Sequence, residues 1–462
     1  MLAAPLFRAS SRVGRREVGR EGDNYALIMG LELFLSTYLA PIGSFFFNLW
    51  WLWLFIILAV IAHETWLAAA QEDFKIQSKP TLFELHFPRE VKRTPRAMEQ
   101  VFMTFHTMRN APDTVEEKYW DGEVTLYFSF EVVSFGGDIH FYFRGPAKYR
   151  NIFESIFYAH YPDLEITRLN EDYLDRLPKS VDEIYERGEK IFANQFILKK
   201  SDVYPIRTYM AFETPQEEGQ LDPIAALFEL LVKCDPRETI CLQILARPVG
   251  DEWKKVGDEL VYQLKEGARK PREGKKGELI FVTISPGEKE VMEAVERNIA
   301  KPGFETLIRY FYISPKEIFN DSFARRGVLS VLNQYASEHL NRFGHNELVY
   351  TKQNIWNFPY LYPRLRVRDR ARRLYTNFRL RHMPDENLAS AALSMRRWHW
   401  GLRSEWTKRI ILNAEELATI YHPPTFLVMT GPIVKRVPSA KIGPPAGLPI
   451  YGEDGEELSG IK

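Results

Sequence analysis

Residues 124–143 read VTLYFSFEVVSFGGDIHFYF, and this stretch decides the fold. Val124, Leu126, Phe128, Phe130 and Val132 alternate with Thr125, Tyr127, Ser129 and Glu131, the two-residue period of a strand with one buried face. Gly136 and Gly137 supply a turn, and Ile139, Phe141 and Phe143 return on a second strand, so the segment predicts a β-hairpin. Upstream, TLFELHF predicts a short strand ending at Pro88. Thr94 and Pro95 then make an N-cap and first-turn pair, opening a helix with Met98, Val101, Phe102, Phe105 and Met108 on one face. Downstream, a helix opening at Pro146 turns Ile152, Phe153, Ile156 and Phe157 inward, and LEITRL closes with another strand. The order β-α-β-β-α-β predicts a split βαβ, or ferredoxin-like, domain over residues 75–170.

A helical connector over 171–190 leads to a second region. There ANQFILKK, PIRTYMAF, ETICLQILAR and FETLIRYFYI read as strands. DPIAALFELLVKC, DEWKKVGDELVYQLKEG, PGEKEVMEAVERNIA and RRGVLSVLNQYASEHL read as helices, with the charged linker GARKPREGKKG between the second and third. This predicts a second ferredoxin-like domain with an insertion over 191–350, and hence an α+β class with tandem domains. Residues 351–422 hold an Arg-rich segment and a helix capped by Asn413, and 423–462 form a Pro-rich connector and acidic tail.

Ahead of the domains, residues 45–62 read FFFNLWWLWLFIILAVIA. At ~1.5 Å per residue the run covers roughly 27 Å, close to the hydrocarbon layer of a bilayer. Trp50, Trp51 and Trp53 near one end and Trp66 past the other suit interfacial anchoring, so 45–66 predicts one transmembrane helix. A buried core helix and a cleaved signal peptide are the competing readings; the run is long for the second. Residues 1–44 read as an N-terminal tail, basic at first, with Met29 as an alternative start. With that start, Lys75, Lys79, Arg89, Lys92, Arg93 and Arg96 follow the span and no Lys or Arg precedes it. The charge bias then places the large C-terminal part in the cytoplasm, on a single-pass inner-membrane protein. Starting at Met1, Arg8, Arg12, Arg15, Arg16 and Arg20 argue the other way.

Across 462 residues, 61 Lys and Arg balance 61 Asp and Glu, so no global field points to nucleic acid or acidic lipid. Cys234 and Cys241 fit neither a zinc spacing nor a disulfide framework and read as core residues. Gly267, Gly274, Lys275 and Lys276 miss the P-loop spacing and its hydroxyl. No nucleophile elbow or zinc-protease motif occurs, and His339 and His345 read as surface residues at a helix end. The expectation is a chain with no catalytic set, cofactor or metal. The one strong local charge runs from Arg364 to Arg381, where Arg364, Arg366, Arg368, Arg370, Arg372, Arg373, Arg379 and Arg381 face a single Asp369. Interleaved with Leu365, Val367, Tyr375 and Phe378, they could neutralise DNA phosphates and stack on bases, bind acidic lipid, or form a solvated or intramolecular face.

Three groups of residues carry a resemblance. PREVKRTPRAMEQVF follows the anchor, ISPGEKEVMEAVERNIAKPGFETLIRYFYISPKEIFN lies mid-chain, and ILNAEELATIYHPP with PPAGLP lies near the end. From Met29 onward the chain resembles the N-terminal, non-ATPase region of bacterial membrane-anchored type IV secretion or conjugative DNA-transfer ATPases. In longer relatives the Pro-rich connector leads into a RecA-like motor with a P-loop. No such motor is present here, so no catalytic residue carries over. The resemblance implies a membrane-anchored accessory region that docks or positions a separate P-loop ATPase or DNA, with self-association open. The alternative is a structural membrane scaffold that binds proteins or anionic lipid and no nucleic acid.

Overall fold

A computed structural model describes residues 48–88, 91, 93–212, 222–269, 272–273, 279–280, 285–347, 349–351, 362–383 and 409–425. Residues 50–62 of the apolar run lie in α1, Trp50–Gln77, the one described helix long and apolar enough to cross a membrane, while residues 45–47 lie outside the described residues. It continues well past the expected end at Trp66, because the alanine-rich stretch Leu67–Gln71 favours helix. Residues 1–68 and 69–462 separate as two units.

Within the second unit the chain runs β1 (Pro80–His86), α2 (Pro95–Thr107), α3 (Val115–Tyr119), β2 (Phe128–Phe135), β3 (Asp138–Pro146), α4 (Arg150–His160) and β4 (Glu165–Leu169). Next come α5 (Val181–Glu186), β5 (Glu189–Leu198), α6 (Ala225–Val232), β6 (Thr239–Pro248), α7 (Lys254–Arg269), α8 (Pro286–Ile299), β7 (Gly303–Pro315), α9 (Val328–Leu332) and β8 (Phe343–His345). The chain ends, as described, with α10 (Pro363–Arg379), β9 (Ile410–Asn413) and α11 (Ala414–Ile420).

The strands form one nine-stranded antiparallel sheet in the order β8-β5-β7-β6-β2-β3-β1-β4, with β9 paired to β7. Numbering each half from its own first strand, both halves read fourth, first, third, second from their outer edges. They meet at the antiparallel pair β2 and β6, whose register sets Glu131 opposite Gln243. The strands of both expected modules therefore share a single sheet and a single compact unit. Strand β9 takes the side of β7 that β5 leaves open: β5 pairs with Ile308–Pro315 and β9 with Gly303–Thr306.

Both faces of the sheet are covered, which corrects the expectation of one buried face. Seven of the eight residues of β2 are buried. On one face α2, α4, α6 and α11 pack Phe102, Phe105, Phe153, Phe228 and Leu417 against Phe130, Phe143 and Ile244. On the other, Leu374, Tyr375 and Phe378 of α10 and Val181 and Ile184 of α5 cover Val133, Cys241 and Phe311. A stack from Phe105 to Phe143, centroids 5.4 Å apart, and an edge contact from Phe378 to Phe311, 4.6 Å apart, lie in the two layers. Gly136 and Gly137 turn the hairpin at φ 59° and 93°, a region glycine enters without a Cβ penalty.

Other expectations shift locally. Residues 124–127 stand outside the ladder, which starts at Phe128. PIRTYMAF is irregular and ends in a 3-10 turn, its proline and lack of alternation outweighing its apolar content. GARKPREGKKG begins inside α7, and within it Arg272–Glu273 pairs with Leu279–Ile280. The helix expected through Leu340 stops at Leu332, then makes a 3-10 turn. Ile152 is exposed, unlike Phe153, Ile156 and Phe157. Thr94 occupies the N-cap of α2 but makes no side-chain capping bond. Asn413 does cap α11, in a reciprocal capping box with Glu416.

Candidate functional site

The arginine segment folds as α10, just past whose end lies Arg381, and several of its arginines pair within the protein. Leucine and aromatic residues at Leu374, Tyr375 and Phe378 turn one side of the helix onto the sheet, which fixes where the guanidiniums can reach. Arg368 and Arg372 converge on Asp182 of α5, with closest contacts of 2.5 and 2.9 Å. Arg372 also reaches Asp369 at 3.4 Å. Arg379 donates to the carbonyls of Leu174 at 2.7 Å and Pro178 at 3.2 Å, and Tyr375 donates to that of Pro178 at 2.6 Å. Arg370 approaches the Tyr350 carbonyl at 3.5 Å. Arg364 is exposed, and Arg366 and Arg373 are half-buried.

Arg381 departs furthest from the expected surface band. It sits just past α10 at φ 50° and is 2% exposed, so it cannot meet a DNA groove. Its Nε donates to Glu131 Oε1 at 2.7 Å and its Nη2 to Asp172 Oδ1 at 3.0 Å. Glu131 also accepts from Tyr173 at 2.6 Å, Gln243 at 3.0 Å and Ser129 at 2.5 Å. Burial opposes the charge on Glu131, but Arg381 and the hydroxyl donors hold its carboxyl below the usual range. Burial likewise opposes the charge on Arg381, and Glu131 and Asp172 more than offset it. The network ties α10, the 172–173 turn and the β2–β6 seam together.

A second buried network belongs to residues 409–425. Lys301 bridges Glu99 of α2 and Glu415 of α11, at 2.5 Å from each carboxylate. Asp222 Oδ1 lies 2.8 Å from His422 Nε2, and its Oδ2 accepts from the amide and hydroxyl of Thr425 at 2.8 and 2.7 Å. His422 Nδ1 is 2.7 Å from the Ala418 carbonyl, so each ring nitrogen faces an acceptor. Although burial works against it, these partners hold the Asp222 carboxyl down at about 2. Burial pushes Glu416 up to about 8, despite amide donors from Asn413 and Ile206.

Histidines at the open end of β1 and β3 form a third cluster. His140 lies 2.7 Å from Glu84 and 3.2 Å from Asp138, and His86 is 3.7 Å from Glu84. Nearby, a cleft of about 530 Å³ is lined by Tyr142, Tyr173, Arg168 and Arg176. Among the described residues, no group of three or more His, Cys, Asp or Glu side chains is placed to hold a metal ion. His339 is exposed, whereas His345 is half-buried in β8, donating to the Arg325 carbonyl at 2.9 Å; this corrects its expected surface placement. Cys234 and Cys241 are buried thiols. In α1, Trp50, Trp51, Trp53 and Trp66 are 60%, 58%, 41% and 53% exposed.

Sequence reading missed Glu131, Asp172, Asp222 and His422. Glu131 carried a faint signal as the lone charge in a strand otherwise made of Phe, Val and Ser, where a carboxylate needs a buried partner. The model of the family described as a domain of unknown function (DUF8128) matches residues 69–341. No curated protein matches the chain.

Proposed function

Because the chain belongs to the DUF8128 family, whose model matches more than half of it and assigns no activity, we propose a function from geometry: a membrane-tethered, non-catalytic scaffold. The observation that carries this reading is α1. It presents an almost unburied apolar surface, and only Ser78 and Lys79 separate it from the first strand of the sheet. Arg368, Arg372, Arg379 and Arg381, four of the arginines that the sequence offered to DNA, bond to Asp182, to the Leu174 and Pro178 carbonyls, and to Glu131 and Asp172, which supports a bracing role for α10. We read each half of the sheet as a ferredoxin-like unit, the two joined through β2 and β6. With Met29 as the start, the flanking charges support a cytoplasmic placement of the large C-terminal part at the inner membrane. The partner class comes from the resemblance alone: a separate DNA-translocating ATPase that the scaffold docks or positions.

The test is a salt series of duplex DNA binding by the full chain in detergent. The scaffold reading expects that Arg364→Ala with Arg373→Ala, and separately Arg368→Ala with Arg372→Ala, leave any binding and its salt slope unchanged. A slope that falls by about one for each arginine removed returns the helix to a DNA-contacting role.

A further inference from the structure

Tyr142 of β3 is 2% exposed, yet the described hydrogen bond at this residue goes to its carbonyl, from Tyr421 at 3.3 Å, and none goes to its hydroxyl. The ring is held by a stack on Tyr173, with centroids 4.3 Å and planes 9° apart, and runs parallel to His140 at 6.0 Å. It lines the cleft of about 530 Å³ that reaches from β4 to the Tyr173–Arg176 turn. Burial pushes the hydroxyl above the usual tyrosine range, with Glu84 adding to the effect and Arg176 opposing it. Glu84 and Arg176 both line the cleft, so the hydroxyl stands among the cleft's charges as a protonated donor. A nearly buried O–H with no protein acceptor calls for an acceptor from outside.

The charges of the cleft divide into engaged and open groups. Glu84 lies 2.7 Å from His140, and Asp172 accepts from Arg381 at 3.0 Å. Arg168, Arg176 and Glu171 are exposed, and none of them forms an ion pair among the described residues. Asp175 pairs with Arg379 at 3.6 Å and is 66% exposed. Open charge of both signs therefore lines one cleft.

That mixture selects the ligand. A phosphate dianion would meet the carboxylates of Glu84, Glu171, Asp172 and Asp175, and a simple cation would leave two guanidiniums and the Tyr142 hydroxyl, all donors, unmatched. One carboxylate and one ammonium on a small frame match both signs, and the arginine fork suits a planar carboxylate. We propose that this cleft binds a zwitterion of the free α-amino-acid type, its carboxylate held by Arg168 and Arg176 and accepting from the Tyr142 hydroxyl, its ammonium facing Glu171 and Asp175. The site lies wholly within the sheet-bearing unit and does not depend on the tether. Asp172 and Tyr173 in the same turn bond Arg381 and Glu131, so an occupied cleft braces the turn that anchors the end of α10.

Saturation-transfer NMR on the full chain in detergent, with glycine, leucine, phenylalanine, lysine and glutamate as probes, tests this. The expected result is that at least one amino acid titrates to saturation, and that its deaminated acid and its decarboxylated amine each bind about tenfold more weakly or worse. Tyr142→Phe should weaken the best binder about tenfold, and Arg176→Gln at least as much. The urea midpoint of Tyr142→Phe should stay at the parent's value, because the substitution keeps the ring and breaks no bond within the protein. Failure of all the amino acids to saturate leaves the hydroxyl to water and overturns the proposal. Equal binding of the deaminated acid overturns the zwitterion assignment, and binding unchanged by both substitutions overturns the location. A lowered midpoint in Tyr142→Phe contradicts the premise that the hydroxyl has no protein partner.

Discussion

Arg381 and Glu131 lie 250 residues apart in sequence, yet the Arg381 Nε and Glu131 Oε1 are 2.7 Å apart, and the side chains are 2% and 0% exposed. The pair fastens the end of α10 to the seam where the two halves of the sheet meet. Removing the guanidinium leaves a carboxylate with no counter-charge in a dry site. Arg381→Ala should therefore cost about 3–5 kcal/mol. Pairing Arg381→Met with Glu131→Gln should recover a large part of that loss. Urea unfolding of the two variants and the parent measures both.

Asp182 makes the opposite case on the same helix. Its contacts to Arg368 and Arg372 are short, but all three side chains are about 37–44% exposed. Water and salt screen such pairs, so Asp182→Asn should change stability by no more than about 1 kcal/mol. Repeating the unfolding at high salt should shrink the difference further. A loss comparable to that of Arg381→Ala would mean that α10 is held by its outer charges.

The pH dependence has two limbs of opposite sign. Asp222 has a depressed folded value of about 2 against an ordinary 3.8. Its contribution is present above about pH 4 and is lost as pH falls through 2, on the order of 2 kcal/mol. Glu416 is raised from 4.5 to about 8. Its protonated form suits the fold, so its contribution is complete below about pH 4.5 and is lost as pH rises through 8. Thermal unfolding across this range should show Asp222→Asn flattening the acid limb and Glu416→Gln the alkaline one.

Two glycines separate backbone strain from steric exclusion. Gly136 and Gly188 both have positive φ, 59° and 78°. A Cβ at Gly136 would lie 2.6 Å from Pro236 Cα, while one at Gly188 would meet nothing within 4 Å. Gly188→Ala should cost about 1 kcal/mol from conformation alone, and Gly136→Ala clearly more. Equal losses in calorimetry would mean that Pro236 gives way.

Local pattern carried much of the architecture. The alternation from Phe128 to Val132, the Gly136-Gly137 turn and the Asn413 cap all act within a few residues, so they were readable from the chain. The joining of both halves through β2 and β6 was not, because Glu131 and Gln243 meet only through tertiary register. The same limit explains the arginine segment. Its composition is equally that of a nucleic-acid surface and of a brace, and the carboxylates that Arg368, Arg372 and Arg381 meet, Asp182, Asp172 and Glu131, are all distant in sequence. In α1 the hydrophobic run was plain, while its extension to Gln77 rested on alanine propensity that a search for apolar residues overlooks.

In the proposed function, one helix tethers this chain to a bilayer. The most direct measurement is alkaline carbonate extraction of membranes containing the full chain or a chain lacking residues 45–66. The account predicts that the full chain stays in the membrane pellet and the deleted chain moves to the supernatant. A full chain released by carbonate as readily as the deleted one would contradict it.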